Sequence, residues 1–303
     1  MSAADFSTWP CLTAARAHDA AARMPFAVAT PDGGLQRAGS VARADLPALA
    51  PWADVLHEQD GQLRLLASPD ERNALLGEVN AALRAQGLIR AWRDEPYPLL
   101  AAGSGELLAV IERAASRFWG ALTFGAHCNG YVADADGRPV QLWIARRAWN
   151  KPTDPGRLDN LIGGGVPHGQ TPREALLREA WEEAGLQPAQ MAGLHAGSVL
   201  ELFSDIPEGL QHEWLYVHDL ALPAGLVPQN QDGEVAEHRL MPVAQALAEA
   251  ASGAMTVDAA LATLDFALRH RLLPGDEGLA LAGRLDRLRV PPAAAARFNL
   301  PRP

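Results

Sequence analysis

The sequence predicts an α/β protein with an additional amino-terminal α+β domain, and three observations carry that prediction. A chain of 303 residues, 48% of them apolar, is enough for about two packed domains at roughly 150 residues each. Strand-like runs separated by turn residues crowd the middle of the chain. One helix with marked boundaries, 171–185, interrupts them, and helical periodicity returns only near the end.

Taken in order, the stretch from Phe26 to about Trp119 is mixed. Ser68-Pro69-Asp70-Glu71 offers an N-cap, a first-turn proline and a capping-box glutamate. A helix should follow, because Leu75, Leu76, Val79 and Leu83 recur at helical spacing and Gly87 is a suitable stop. A second helical pattern covers Glu106 to Phe118. We expect residues 1–120 to form the α+β domain, which carries no catalytic signature. From Gly125 to Val132 and from Val140 to Ala145 two strands flank the turn Asp134-Ala135-Asp136-Gly137. Further strand-like runs lie at Ser198–Phe203, Trp214–Leu222 and Val235–Leu240. Residues 121–252 are expected to form the α/β domain. In 253–303, Val257–Leu272 and Leu279–Leu288 read as amphipathic helices, and Pro291–Ala296 as loose.

Composition bounds the function. A net charge of −10 and 20% charged residues disfavour nonspecific binding to nucleic acid or anionic membrane. No apolar run reaches the roughly 18 residues of a membrane span, and Met1–Met24 lacks a signal-peptide pattern, so a cytoplasmic location is expected. Cys11 and Cys128 are too few for a disulfide scaffold or a cysteine metal cluster, and Cys128 reads as a buried small residue. Oligomeric state is left open. Lys151 is the sole lysine among 26 basic residues, which singles it out, since an ammonium and a guanidinium bind phosphate differently.

The segment Gly163–Leu186, GGGVPHGQTPREALLREAWEEAGL, carries the chemistry. Thr171 can cap, Pro172 fits the first turn, Glu174 closes a capping box and Gly185 ends the helix. Glu179, Glu182 and Glu183 then stand at i, i+3 and i+4 on one face, where like charges repel. Such a triplet is either a solvated acidic face or a hard-cation site, because Mg²⁺ seeks oxygen ligands. The preceding glycines, Gly163, Gly164, Gly165 and Gly169, read as a loop whose backbone could approach an anion closely, and they favour the cation site.

This segment resembles the Nudix box of the MutT-like pyrophosphohydrolases, G-x5-E-x7-R-E-U-x-E-E-x-G-U with U apolar. With Gly164 first, Arg178, Glu179, Ala180, Glu182, Glu183, Gly185 and Leu186 fall on the pattern. Gln170 stands where the pattern has its first glutamate. The resemblance implies a Nudix fold, a mixed sheet sandwiched between helices, with Glu179, Glu182 and Glu183 holding Mg²⁺, or Mn²⁺ in its place, on a diphosphate. It gives Arg178 a structural role and implies attack of a polarised water on phosphorus, with Glu179, Glu183 or Glu234 as base. Glu234, in Asp232-Gly233-Glu234-Val235, would otherwise be a plain loop acid.

Ala126–Val132, Leu142–Asn160 and the Asp232–Val235 turn further resemble Nudix proteins related to the carboxyl-terminal half of fungal thiamine pyrophosphokinase. These hydrolyse thiamine diphosphate or its damaged analogues to the monophosphate, which makes a small-molecule diphosphate the expected partner. Lys151, Arg146 and Arg147 fall in that tract and could hold the distal phosphate, or could be surface charge. Hydrolysis of a nucleoside diphosphate derivative such as ADP-ribose is the alternative, and a non-catalytic ligand-binding module a third reading. Isopentenyl-diphosphate isomerase chemistry would need a cysteine after Asn160, where Leu161, Ile162 and Gly163 follow. His127, His168 and His212 lack paired ligand spacing and read as loop or core histidines, and Trp149 and Trp214 are candidates for the organic half of a substrate or for the core.

Overall fold

The computed structural model describes residues 8–295 and residue 298. After α1 (Pro10–Ala14), the amino-terminal region holds β1 (Arg23–Ala29), β2 (Leu35–Ala42), β3 (Leu56–Gln59) and β4 (Gln62–Leu65) in the sheet order β2-β1-β4-β3. Helix α2 (Pro69–Ala85) starts after Ser68, as its sequence predicts, and buries Leu76, Val79 and Leu83 in a core with Phe26, Leu65 and Trp119.

The segment Glu106–Phe118 corrects the sequence reading. It is not one helix but strand β6 (Leu107–Glu112), paired antiparallel with β5 (Pro96–Leu100), followed by the short helix α3 (Ala115–Trp119). An apolar run of this length carries no decisive period, and the cross-strand bonds to β5 settle it as strand.

The second sheet contains β7 (Leu122–Ala133), β8 (Pro139–Arg147), β9 (Leu158–Asp159), β10 (Ile162–Gly165), β11 (His195–Ile206), β12 (Gly209–Ala221) and β13 (Val235–Pro242). Its order is β11-β12-β7-β8-β13, with β10 on β7 and β9 on β8. β12 runs parallel to β7 and the other pairs are antiparallel, so the sheet is mixed. Alternate side chains feed two cores. Phe124, Ala126 and Cys128 pack with α4 (Pro172–Ala184). Tyr131, Leu142, Ile144, Leu215 and Val217 pack with α5 (Val243–Ser252), α6 (Val257–Arg269) and α7 (Gly275–Leu285).

The carboxyl-terminal helices therefore cover this sheet. Pro292–Ala295, expected to be loose, forms one turn, α8, and Ala296 lies outside the described residues. Among the described residues no helix is long and apolar enough to cross a membrane. One irregularity positions the site: β7 and β8 pair only at Tyr131–Ala133 and then part, and β9 and β10 fill the gap between them.

Candidate active site

Helix α4 delivers acids to that gap. Thr171 Oγ1 accepts the Glu174 N–H at 3.0 Å, Glu174 accepts the Thr171 N–H at 2.8 Å, and Gly185 closes the helix at φ +66°. Both ends fall where the sequence puts them. The helix packs on β7 and β10, so Glu179 and Glu183 are 7% and 8% exposed, while Glu182 stays at the rim.

Glu183 accepts the Gly163 N–H at 2.9 Å. Glu179 lies over Gly164 so closely that any β-carbon there would collide with its carboxylate. Arg178 donates to Glu182 at 2.7 Å and to Glu179 at 2.8 Å, and stands 4.0 Å from Glu95 of the amino-terminal region. Burial, reinforced by Glu182 and opposed by Arg178, pushes Glu179 up to about 7. Burial and the neighbouring Glu179 push Glu183 well above the carboxylate range.

The structure does not assemble all three glutamates as a ligand set: among the described residues, no three His, Cys, Asp or Glu side chains gather closely enough to hold a metal ion. Arg178 holds Glu182 and Glu179 instead. Donor chemistry nonetheless fits a hard divalent cation, because Glu179 and Glu183 are buried oxygen donors and Glu179 raises the proton affinity of Glu183. The side-chain oxygen of Gln170 is also buried without a partner.

The glycines need a second correction. Gly163–Gly165 are strand, not loop, and what approaches them is side chain: Glu179 at Gly164, His127 at Gly163 and Tyr97 at Gly165. Gly169, at φ +86°, alone of the four takes a left-handed turn.

The basic tract is divided. Lys151 and Glu234 are brought together, but against one another, with Arg93 adding a second contact to Glu234 at 3.0 Å. Although burial opposes it, these two cations hold the Glu234 carboxyl below the usual range. Arg147 is committed to Asp159 at 3.0 Å and to the Thr153 carbonyl at 2.9 Å. Arg146 bonds Glu237 at 2.8 Å and the Gly156 carbonyl at 2.7 Å. It does not border the cavity described next, and its bonds tie β8 to β13 and to the loop before β9.

A cavity of about 460 Å³ lies between the amino-terminal region and the gap, floored by Gly163–Gly165. Tyr97, Arg113, Arg117, Glu213 and Asp258 among its walls come from segments with no chemical signature in the sequence. His127, passed over as a core histidine, borders it too, with Nδ1 2.9 Å from Asn160 Oδ1. Asn160 is buried and bonds Asn129 and Thr263, so it pins the β9–β10 connection to α6. His168 is exposed and His212 faces Glu201 at 3.5 Å. Trp214 packs between Phe124 and Phe298, whereas Trp149 is 71% exposed. Cys128 is buried, and burial raises its thiol far out of the nucleophilic range.

Comparisons with known proteins agree with this architecture. Residues 125–260 match the model of the NUDIX domain, and residues 9–123 match a domain of unknown function, DUF4743. The chain is 36% identical over 210 residues to Nudix hydrolase 24, chloroplastic, of Arabidopsis thaliana, covering 69% of this chain and 57% of that protein. It is 36% identical over 209 residues to Nudix hydrolase 20, chloroplastic, of the same plant, covering 68% and 55%. It thus spans a little over half the length of these plant relatives. An uncharacterized Saccharomyces cerevisiae protein, YJR142W, is 30% identical over 231 residues, covering 71% of this chain and 67% of that protein. Among solved structures, DR0079 from Deinococcus radiodurans aligns with a TM-score of 0.44 at 25% identity, covering 57% of this chain and 99% of that one. The capped acidic helix and the glycine strand beneath it lie within residues 125–260, and that part of the chain is a Nudix domain.

Proposed function

We propose that the protein is a divalent-cation-dependent pyrophosphohydrolase that cleaves the phosphoanhydride bond of a thiamine-diphosphate-like substrate, yielding the monophosphate and inorganic phosphate. The observation that carries the reading is the burial of Glu179 and Glu183 side by side on α4, which is unfavourable without a cation. Mg²⁺, or Mn²⁺ in its place, would be held by Glu179 and Glu183, with Glu182 joining once it leaves Arg178. A bound divalent ion polarises the attacking water and offsets charge on the phosphoryl oxygens.

The residues divide the remaining work. The Gly163 N–H fixes one Glu183 oxygen, and Glu179, Glu183 or Glu234 would take the proton from water as the P–O bond breaks. Arg178 keeps Glu182 and Glu179 oriented. Lys151 reaches a phosphate only by exchanging Glu234 for it. The thiamine-type substrate is supported by the tracts Ala126–Val132, Leu142–Asn160 and Asp232–Val235 and by the presence of the amino-terminal region.

Product analysis with thiamine diphosphate, ADP-ribose, nucleotides and isopentenyl diphosphate, with and without Mg²⁺, tests the reading: phosphate is released from a terminal diphosphate, and AMP with ribose 5-phosphate from ADP-ribose. We expect Mg²⁺-dependent release from thiamine diphosphate or an oxidised analogue, and its loss in Glu182→Gln. Tight binding of every compound without turnover would make the protein a binding module, and preference for ADP-ribose would replace the substrate.

A further inference from the structure

Several charged groups around the cavity are already paired. Glu213 accepts from Arg117 at 2.9 Å and from Gln211 at 3.3 Å, Asp159 from Arg147, and Glu95 from Arg113 at 2.8 Å. Two buried atoms have no partner, and one carboxylate has a single bond. The Tyr97 hydroxyl, on a side chain only 3% exposed, has no hydrogen-bond partner and rests against Gly165 in the cavity floor. Arg117 Nη1 is buried and unpartnered. Asp258, in the first turn of α6, receives one bond, from Gln211 at 3.1 Å, and has no basic partner within ion-pair distance among the described residues.

Leaving buried donors and acceptors unpaired is costly, and natural proteins tolerate few of them. Here two, the Tyr97 hydroxyl and Arg117 Nη1, converge with the singly bonded Asp258 carboxylate on one chamber of a size suited to a small molecule. The chamber also touches the strand whose other contacts are Glu179 and Glu183. A donor (Arg117), an acceptor (Asp258) and a group that is both (Tyr97) suit a planar ring whose edge alternates donors and acceptors. Two of them come from the amino-terminal region.

We propose that this chamber binds the organic half of the diphosphate substrate, a nitrogen heterocycle with a hydrogen-bonding edge, and that Tyr97, Arg117 and Asp258 determine its selection. The amino-terminal domain is then half of the substrate site. The inference rests on the hydrolase reading only for which end of the substrate faces α4.

Equilibrium binding in EDTA, where no turnover occurs, tests it with thiamine diphosphate, ADP-ribose and inorganic diphosphate on the full chain. Tyr97→Phe removes an unpartnered hydroxyl, so a purely structural role predicts an unchanged or raised melting temperature and unchanged binding. We expect unchanged or raised melting together with binding of a heterocyclic diphosphate weakened three- to tenfold. Inorganic diphosphate binding should not move. Asp258→Asn should weaken the same heterocycle by tenfold or more, and with Mg²⁺ both variants should raise KM more than they lower kcat. Wild-type affinity of both variants for thiamine diphosphate and ADP-ribose overturns the proposal, as does failure of the unmutated protein to bind either. Weakened binding without any turnover in the unmutated protein would retain the chamber and reject the hydrolase.

Discussion

Helices α2 and α4 begin with the same local grammar and bury their polar residues to opposite effect. Each has a hydroxyl residue, a proline and a glutamate over its first turn, Ser68-Pro69-Asp70-Glu71 and Thr171-Pro172-Arg173-Glu174. In α2 the buried Arg72 donates to the carbonyls of Ala67, Leu108 and Ala29, and the buried Asn80 accepts the Trp119 indole N–H at 2.8 Å. Each of the three guanidinium nitrogens is matched. In α4 the buried Glu179 and Glu183 repel, and a single backbone N–H and one arginine compensate them. A satisfied buried polar group knits elements together, whereas an under-compensated one holds free energy available for a ligand.

That contrast is sharpest in a pair of variants. Glu183→Gln should lower turnover by about 10²–10⁴-fold, the usual reach of a general base, while leaving the protein as stable or more so at pH 8. Arg72→Met should do the reverse, costing about 3 kcal/mol by stranding three carbonyls, with activity per folded molecule intact. Urea melts and steady-state kinetics on both decide it. Equal losses of stability in the two variants would mean that the α4 acids are ordinary structural groups.

Gly164→Ala probes the same point from the strand side. A β-carbon there must displace Glu179, so turnover should fall by about 10²-fold from misplacement, and a smaller loss would show that Glu179 has room to move.

These sites differ in how far they can be read from the chain itself. Both ends of α4 and the start of α2 are legible because caps, proline and glycine act locally and need no partner. Glu179, Glu182 and Glu183 are legible because a helix converts sequence spacing into a shared face. Leu107–Glu112 is misread because strand or helix there depends on β5, and the glycine strand is misread as a loop because its occupants, His127 and Tyr97, arrive from elsewhere. Lys151 is picked out correctly as unusual, yet its partner Glu234 lies 83 residues on, so its engagement is invisible in sequence. The chamber walls are harder still, since Tyr97, Arg117 and Asp258 meet only through packing of the amino-terminal region on the sheet.

Acidity separates the helices next. Glu179 is raised to about 7 and Glu183 is raised well above the carboxylate range, so between pH 4.5 and 7 the folded state binds protons that the unfolded state releases. Stability in EDTA should therefore fall as pH rises through that window. Asp258, also raised to about 7, adds in the same direction. Glu213 and Glu234, held low by Arg117 and by Lys151 and Arg93 against their burial, act oppositely and only as pH falls below about 4.5. Because a cation needs the ionised carboxylates, Mg²⁺ should raise the melting temperature little at pH 5.5 and progressively more through pH 7. Glu183→Gln should flatten both slopes, and Arg72→Met should flatten neither.

The smallest effect tests whether the shared grammar is in fact shared. Thr171 Oγ1 takes the Glu174 N–H, and Ser68 Oγ donates to Glu71 at 2.6 Å while Glu71 also faces the Ser68 N–H at 3.4 Å. Thr171→Ala and Ser68→Ala should each cost about 1 kcal/mol in denaturant melts, since both remove one capping side chain at an exposed helix start. Turnover should fall slightly in Thr171→Ala alone, because only α4 carries the acids at a fixed distance from its first turn. If Thr171→Ala cost several times more than Ser68→Ala, the cap of α4 would be restraining the repulsion of its glutamates as well as closing a helix end. Adding Mg²⁺ should then erase the excess, which ties the local rule at residue 171 to the buried charge two turns away.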